Sequence, residues 1–370
     1  MNNEAWINKL LESSGIKING NNPWDIKILN QKVYNRIKAE GSLGLGESYM
    51  EGWWDCERID EFIYKLFLAK IPETVGFSFS LLFDIISAKV LNLQSRARAF
   101  EVAKKHYDLD NELFSKMLGK TMAYSCGYWA KSKSLDSAQN AKFDLICRKL
   151  NLKNGQKILD IGCGWGGFAK YVAESYHVSV VGITVSKEQA EFARKLCKNL
   201  PVEIRVQDYR ELDEKFDHIV SVGMFEHVGV KNYRKYLSVA KSCLKPGGLF
   251  LLHTIGWLNT GTGSDPWLNK YIFPNGSLPS LKQITGASEG LFVVEDVHNF
   301  GADYDKTLMA WHKNFNAAWS KFKDKYDNRF FRMWNYYLLS CAGAFRAREI
   351  QLWQIILSPN GVPGGYKSVR

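Results

Sequence analysis

The stretch Ile158-Leu-Asp160-Ile-Gly162-Cys163-Gly164-Trp-Gly166-Gly167 has the make-up of a ligand loop. Glycine lets a backbone approach a bound molecule closely, and a helix N-terminus that follows favours negative charge. Gly162, Gly164 and Gly167 satisfy G-x-G-x-x-G, so a dinucleotide is weighed first. Such a site wants an Asp or Glu about 20 residues further on, at the end of the second strand. Gly182, Ile183 and Thr184 stand there, and the dinucleotide reading fails. Two readings remain for Thr184 and Gln189. Ser186-Lys-Glu-Gln189 spells a capping box; alternatively, Thr184 and Gln189 replace the missing acid at ribose hydroxyls. Glu226 follows the fourth strand pattern, in the crevice where open α/β sheets bind ligands. His253 ends the fifth and suits either proton chemistry or a satisfied core position. Cys126, between Ser125 and Gly127, has the setting of a small buried residue and not of a nucleophile.

These residues need a scaffold, and the periodicity supplies one. From about residue 139, helix and strand patterns alternate: helix 139–150, strand 157–161, helix 166–176, strand 178–183 and helix 187–198. Strands 202–207 and 217–222, helix 231–243 and strand 249–255 complete the series. Alternation of this kind predicts an α/β fold, a parallel sheet with helices on both faces. Ahead of it, a helix over 4–13, a hairpin about Asn19–Pro23, and helices near 31–40 and 48–54 predict a small, mainly helical N-terminal domain. Phe79, Leu82, Phe83, Ile86 and Val90 keep helical spacing. The expected division is 1–90, a linker at 91–100, and a catalytic part over 101–370.

Composition narrows the class. The chain has 370 residues, 46% hydrophobic and 24% charged, which is globular. No apolar run approaches the ~20 residues that span a bilayer, and no basic-then-apolar leader opens the chain. Seven scattered cysteines without a C-x-x-C pair fit a reducing cytosol and neither a disulfide framework nor a zinc site. The net charge of +11 invites an anionic partner. Its distribution is uneven: residues 1–100 are neutral, while 311–370 hold ten basic and three acidic side chains. The basic residues there stand among Trp311, Phe315, Trp319, Phe322 and Phe331, a mixture suited to anionic headgroups over an apolar layer.

With Asp160 ahead of it, the loop reads D-x-G-x-G-x-G and resembles the first motif of class I S-adenosylmethionine-dependent methyltransferases, a Rossmann-like fold. Asp208 after the third strand and Leu244-Lys-Pro-Gly-Gly248 before the fifth strengthen that likeness. Further segments narrow it: Glu40-Gly-Ser-Leu-Gly-Leu-Gly-Glu-Ser-Tyr-Met-Glu-Gly-Trp-Trp54, His106-Tyr-Asp, Met122-Ala-Tyr-Ser-Cys126-Gly-Tyr-Trp129 and Gly223-Met-Phe-Glu-His-Val-Gly229. His253-Thr-Ile-Gly256, Asp265-Pro-Trp, His298-Asn-Phe-Gly-Ala-Asp-Tyr304 and Ala342-Gly-Ala-Phe-Arg-Ala-Arg348 follow in order. Together they resemble the bacterial cyclopropane-fatty-acyl-phospholipid synthases over nearly the whole chain. One departure is Asp110, where that family commonly has Gly.

The resemblance implies methylene transfer from S-adenosylmethionine across the cis double bond of phospholipid acyl chains, by a homodimer on the inner face of the cytoplasmic membrane. It implies cofactor contacts at Asp160, Gly162, Cys163, Gly164 and Gly166, at Thr184 and Gln189, and at Gln207, Asp208 and Tyr209. It further implies a bound bicarbonate as base, held at Cys126, Glu226, His253, Ile255 and Tyr304, with Cys126 and Ile255 giving backbone groups. No metal is expected. A nucleic-acid methyltransferase would want an Asn/Asp-Pro-Pro-Tyr tetrad or an RNA-binding appendage, and neither is present. A decayed, non-enzymatic scaffold would not retain the glycine loop with Glu226, His253 and Tyr304.

Overall fold

The computed structural model describes residues 2–74, 111–261 and 263–370. The amphipathic pattern from Phe79, the linker and His106-Tyr-Asp with Asp110 lie outside the described residues. Packing divides the chain into two compact units that do not follow chain order. One contains the described part of Met1–Leu91 with Gly263–Asn275 and Tyr304–Ile350; the other, the described part of Asn92–Thr262 with Gly276–Asp303 and Gln351–Arg370. The sequence division at 91–100 assigned both interposed segments to the catalytic part.

In the first unit, helices span Asn3–Leu11, Lys32–Glu40, Ser42–Met50 and Ile59–Leu68, and Asn328–Arg346 contributes a long amphipathic helix. Trp54 is fully buried among Tyr49, Phe62 and Tyr336, with ring centroids 5.0, 5.6 and 6.4 Å away. Much of the tryptophan content of this unit is therefore core. The expected hairpin contracts to a single Ile18–Ile26 bridge. Asp25 takes the backbone N–H groups of Lys17 and Asn22, which curls the chain before a ladder can grow. The strand β1 (Lys27–Ile28) pairs instead with β2 (Trp54–Asp55), antiparallel. The helix expected over 48–54 runs Ser42–Met50 instead, through two glycines. Its glycine has a packing reason: a Cβ on Gly46 would stand 2.4 Å from the Trp267 ring.

The second unit carries a seven-stranded sheet. Its strands are β3 (Lys157–Ile161), β4 (Ser179–Thr184), β5 (Val202–Val206), β6 (Phe216–Val222), β7 (Leu244–Trp257), β8 (Val293–Asn299) and β9 (Ile350–Ser358), in the order β5-β4-β3-β6-β7-β9-β8. β3 through β7 are parallel, as the alternation predicts. The sheet as a whole is mixed, because β8 and β9 pair antiparallel beyond β7. β9 lies beyond the strand series read from the sequence, which ends at 249–255, and it is buried from Gln351 to Ser358. Alternate residues of each strand face different cores. Leu159, Ile161, Val181 and Ile183 meet helix Tyr233–Cys243, while Ile158 and Val180 meet the helices Leu135–Lys149 and Gly167–Tyr176. Strand order reverses between β3 and β6, and the carboxyl ends there form the crevice where such sheets bind ligands.

Candidate active site

The loop after β3 turns on glycines with positive φ, Gly162 (85°), Gly164 (53°) and Gly166 (83°). Gly162 and Cys163 donate their N–H groups to Ile183 O, at 2.9 and 3.0 Å, which fastens the loop to β4. Gly166 caps the helix Gly167–Tyr176 in the left-handed region. Gly167 leaves no room for a side chain, since a Cβ would stand 1.9 Å from Thr121 O. Gly167→Ala must push backbone against backbone. A lower thermal midpoint, equivalent to about 1–3 kcal/mol of lost stability, is expected in calorimetry.

Asp160 is buried at the base of the loop with Oδ2 unpartnered. Burial raises its pKa to about 7, partly opposed by the charge of Lys142. At the end of β4, Thr184 Oγ1 donates to Gln189 Oε1 at 2.9 Å and accepts the Ser186 N–H at 3.2 Å. Ser186 Oγ accepts the Gln189 N–H at 3.2 Å. The capping box is thus half formed. Thr184 takes the return bond that a box would assign to the Gln189 side chain, and the Gln189 carboxamide is turned onto Thr184. Beyond β5, Gln207 donates its N–H to Thr184 O. Asp208 is buried and bonded to Arg210 through both oxygens, and Tyr209 is buried beside Tyr236.

Glu226 lies on the short helical turn Phe225–His227 after β6. Its Oε1 accepts the Ile255 N–H at 2.7 Å, while Oε2 is buried with no partner. Burial lifts its pKa to about 7, against the Ile255 N–H, its own backbone and the Thr254 side chain, which favour the ionised form. His253 pairs with Val222 across β6 and β7, so it stands level with the strand end that precedes Glu226. Its Nδ1 is 3.3 Å from Gln354 Nε2, and Nε2 is buried without a partner. Burial, helped by the charges of Lys142 and Lys149, holds the imidazole neutral. His227, half-buried, has its pKa lowered by desolvation alone. Cys126 is fully buried, its thiol directed at Gly127 O at 3.2 Å. Tyr304 belongs to the first unit, where its ring packs 4.5 Å from Phe345 and 5.9 Å from Trp311.

The crevice therefore joins a glycine cradle to a carboxylate and an imidazole, each with one buried, unsatisfied polar atom. Buried polar atoms are ordinarily bonded, so such a pair marks a place for a small polar guest. Residues 94–355 match the family described as Mycolic acid cyclopropane synthetase. The chain belongs to this family. The cyclopropane-fatty-acyl-phospholipid synthase of Escherichia coli K12 is 55% identical over 363 residues, 98% of this chain and 95% of that one. A probable fatty acid methyltransferase of Pseudomonas putida is 39% identical, covering 69% of this chain and 68% of its own. Among solved structures, the cyclopropane synthase MmaA2 from Mycobacterium tuberculosis superposes with TM-score 0.66 at 30% identity, over 72% of this chain and 99% of that one. The mycolic acid cyclopropane synthase CmaA1 complexed with SAH and CTAB does so with TM-score 0.66 at 32% identity, over 70% and 97%. The fold is thus that of a class I methyltransferase.

In this member of the cyclopropane synthetase family, three residues bonded to candidate site residues or their neighbours escape a reading of the sequence. Gln354 orients His253 from β9, a strand the sequence pattern does not reveal. Gln139 and Lys142 are buried on the helix Leu135–Lys149 and bond to the segment that carries Cys126. Their spacing of three, on a face otherwise made of Ala138, Phe143, Ile146 and Cys147, is a signal that could have found them. The Ile255 N–H is bonded to Glu226 Oε1. Among the described residues no group of three or more His, Cys, Asp or Glu side chains could hold a metal ion.

Proposed function

We propose that this chain converts cis double bonds of phospholipid acyl chains into cyclopropane rings, with S-adenosylmethionine as the one-carbon donor. The observation that carries this reading is the 55% identity that extends over nearly the full length of both chains. An isolated alkene is a weak nucleophile and takes a methyl group only from a strong electrophile, here the sulfonium. Attack leaves positive charge on an acyl carbon, and ring closure releases a proton from the transferred methyl. The protein must therefore orient the donor, exclude water and give the proton a destination.

The glycine loop suits close packing against the methionine part of the donor, and the unpartnered Oδ2 of Asp160 suits its amino group. Thr184 and Gln189, with Gln207, Asp208 and Tyr209, line the strand ends where ribose and base would lie. Bicarbonate bound at Cys126, Glu226, His253, Ile255 and Tyr304 would supply a base small enough to work inside a lipid tunnel. The Ile255 N–H anchors one oxygen of Glu226, which leaves Oε2 to hold or share a proton at neutral pH. Gln354 holds the imidazole of His253 at Nδ1, which leaves the buried Nε2 open to a hydrogen bond with the anion. Tyr304 enters through the sequence resemblance, as a hydrogen-bond donor.

The test combines the full chain, methyl-labelled S-adenosylmethionine and vesicles of cis-unsaturated phospholipid. Label should appear in acyl chains that co-chromatograph with cyclopropane standards and show ring protons by NMR. Label confined to methyl-branched chains, or transferred to added RNA or DNA, would overturn the proposal.

Action on phospholipid requires a membrane encounter, and no helix among the described residues is long and apolar enough to cross one. We place the enzyme peripherally, as a homodimer on the inner face of the cytoplasmic membrane. Exposed Lys313, Lys321, Lys323, Lys325 and Arg329 border a half-buried aromatic stack. In that stack Tyr326 lies 4.1 Å from Phe330, and Trp319 lies 4.8 Å from Phe331. Vesicle flotation should show binding that strengthens with anionic lipid and weakens with salt. Binding indifferent to both would return the charge to a solubility role.

A further inference from the structure

Lys142 is fully buried on the helix Leu135–Lys149. Its Nζ donates to Ser125 Oγ at 2.6 Å and Gln139 Oε1 at 2.8 Å, and it stands 4.6 Å from the Phe143 ring centre. All three neighbours are neutral. Among the described residues no carboxylate forms an ion pair with it. A buried ammonium without a bonded counter-ion is costly, and burial brings its pKa down to about 7, opposed only in part by the negative charge of Asp160. An ammonium has three donors, and two are used. The same helix also grips the loop that carries Cys126, because Gln139 Nε2 donates to Ser125 O at 2.8 Å. The charge of Lys142 reaches Cys126, Asp160 and His253. His253 Nε2 and Asp160 Oδ2 are themselves unpartnered.

A cation bonded only to neutral groups beside a crevice for a cationic donor needs a purpose, since it opposes both the sulfonium and the carbocation. A small anion in the same corner would supply one. We propose that Lys142 is a positioning residue for that anion: held by Ser125 and Gln139, its ammonium makes the corner around Cys126 and His253 electropositive and so favours bicarbonate there. The inference rests on the bicarbonate reading above and adds the residue that favours the ion electrostatically. A lysine that merely braced the loop would act through its bonds and not through its charge.

The experiment measures initial cyclopropanation rates against added bicarbonate in carbonate-depleted buffer, at one pH, with the full chain. Wild type is compared with Lys142→Gln, which keeps hydrogen bonding and removes charge, and with Lys142→Arg, which keeps charge. Gln139→Glu pairs the ammonium with a carboxylate, and Gln139→Met, which likewise loses the bond to Ser125 O but adds no charge, is its control. The half-saturating bicarbonate concentration should rise roughly tenfold or more in Lys142→Gln and Gln139→Glu. The rate at saturating bicarbonate should fall less, and Lys142→Arg should recover most of the affinity. If Lys142→Gln does not fold, Gln139→Glu decides, because it exchanges a lone buried charge for a pair. A bicarbonate-dependent wild type with unchanged dependence in the neutralised variants overturns this inference alone. A wild type indifferent to bicarbonate overturns the base reading and this inference together.

Discussion

Glu226→Gln should lower the cyclopropanation rate by ~10²–10⁴-fold, the usual contribution of a positioned proton acceptor. Binding of S-adenosylmethionine should remain near normal, because the glycine loop is untouched. The amide can still accept the Ile255 N–H, so the turn Phe225–His227 should keep its place. What is lost is a group able to exchange a proton at Oε2. The same variant makes a stability prediction of defined sign. Burial raises the folded pKa of Glu226 to about 7 from an ordinary 4.5. Folding therefore disfavours the ionised form, and stability falls as pH rises between those two values. Gln does not titrate, so the thermal midpoint of Glu226→Gln minus that of wild type should grow from pH 4.5 to 7 and then level off. Unchanged turnover would remove Glu226 from the proton path, and a midpoint difference flat with pH would show that its carboxyl is not held up by burial.

Arg346→Met should destabilise the first unit by on the order of 2–4 kcal/mol, as breaking a largely buried ion network does. Arg346 bonds Asp305 through Nε and Nη2 at 2.9 Å, Glu61 through Nη1 at 2.5 Å and Asp60 through Nη2 at 2.9 Å. Asp60 is 1% exposed, and Arg58 is its other cationic partner. Burial pushes the Asp60 carboxyl up, but the bonds from Arg58 and Arg346 outweigh it and leave the pKa below 3.8. Stability from this pair is thus present above about pH 4 and lost as pH falls through the folded value. Urea unfolding at neutral pH should show the full deficit of the variant, and the gap should narrow at pH 3. A deficit within experimental error would mean that the network is screened like an ordinary surface cluster.

Much of the site is legible in the sequence because its parts are local. The glycine loop lies within ten consecutive residues, and the β/α alternation that presents it follows from periodicities of 2 and 3.6 over short windows. Asp160, Gly162, Glu226 and His253 all fall at or near strand ends, which is where that alternation puts them. The β9 strand was not legible, because a buried strand and a buried helix share the same apolar run. It matters for chemistry, since Gln354 comes from it.

The sequence by itself determined the fold class, the parallel part of the sheet and the family resemblance, all properties that neighbouring residues encode. Tertiary structure alone decided which polar atoms are left without partners. Ile255 takes one oxygen of Glu226 from 29 positions away, Gln354 reaches His253 from 101, and Arg346 reaches Glu61 from 285. Burial and hydrogen bonding depend on what folding brings together, and they set the pKa of Glu226, the neutrality of His253 and the neutral hydrogen-bond partners of Lys142. For that reason the sequence could name Glu226 and His253, while only the packed chain shows one open atom on each.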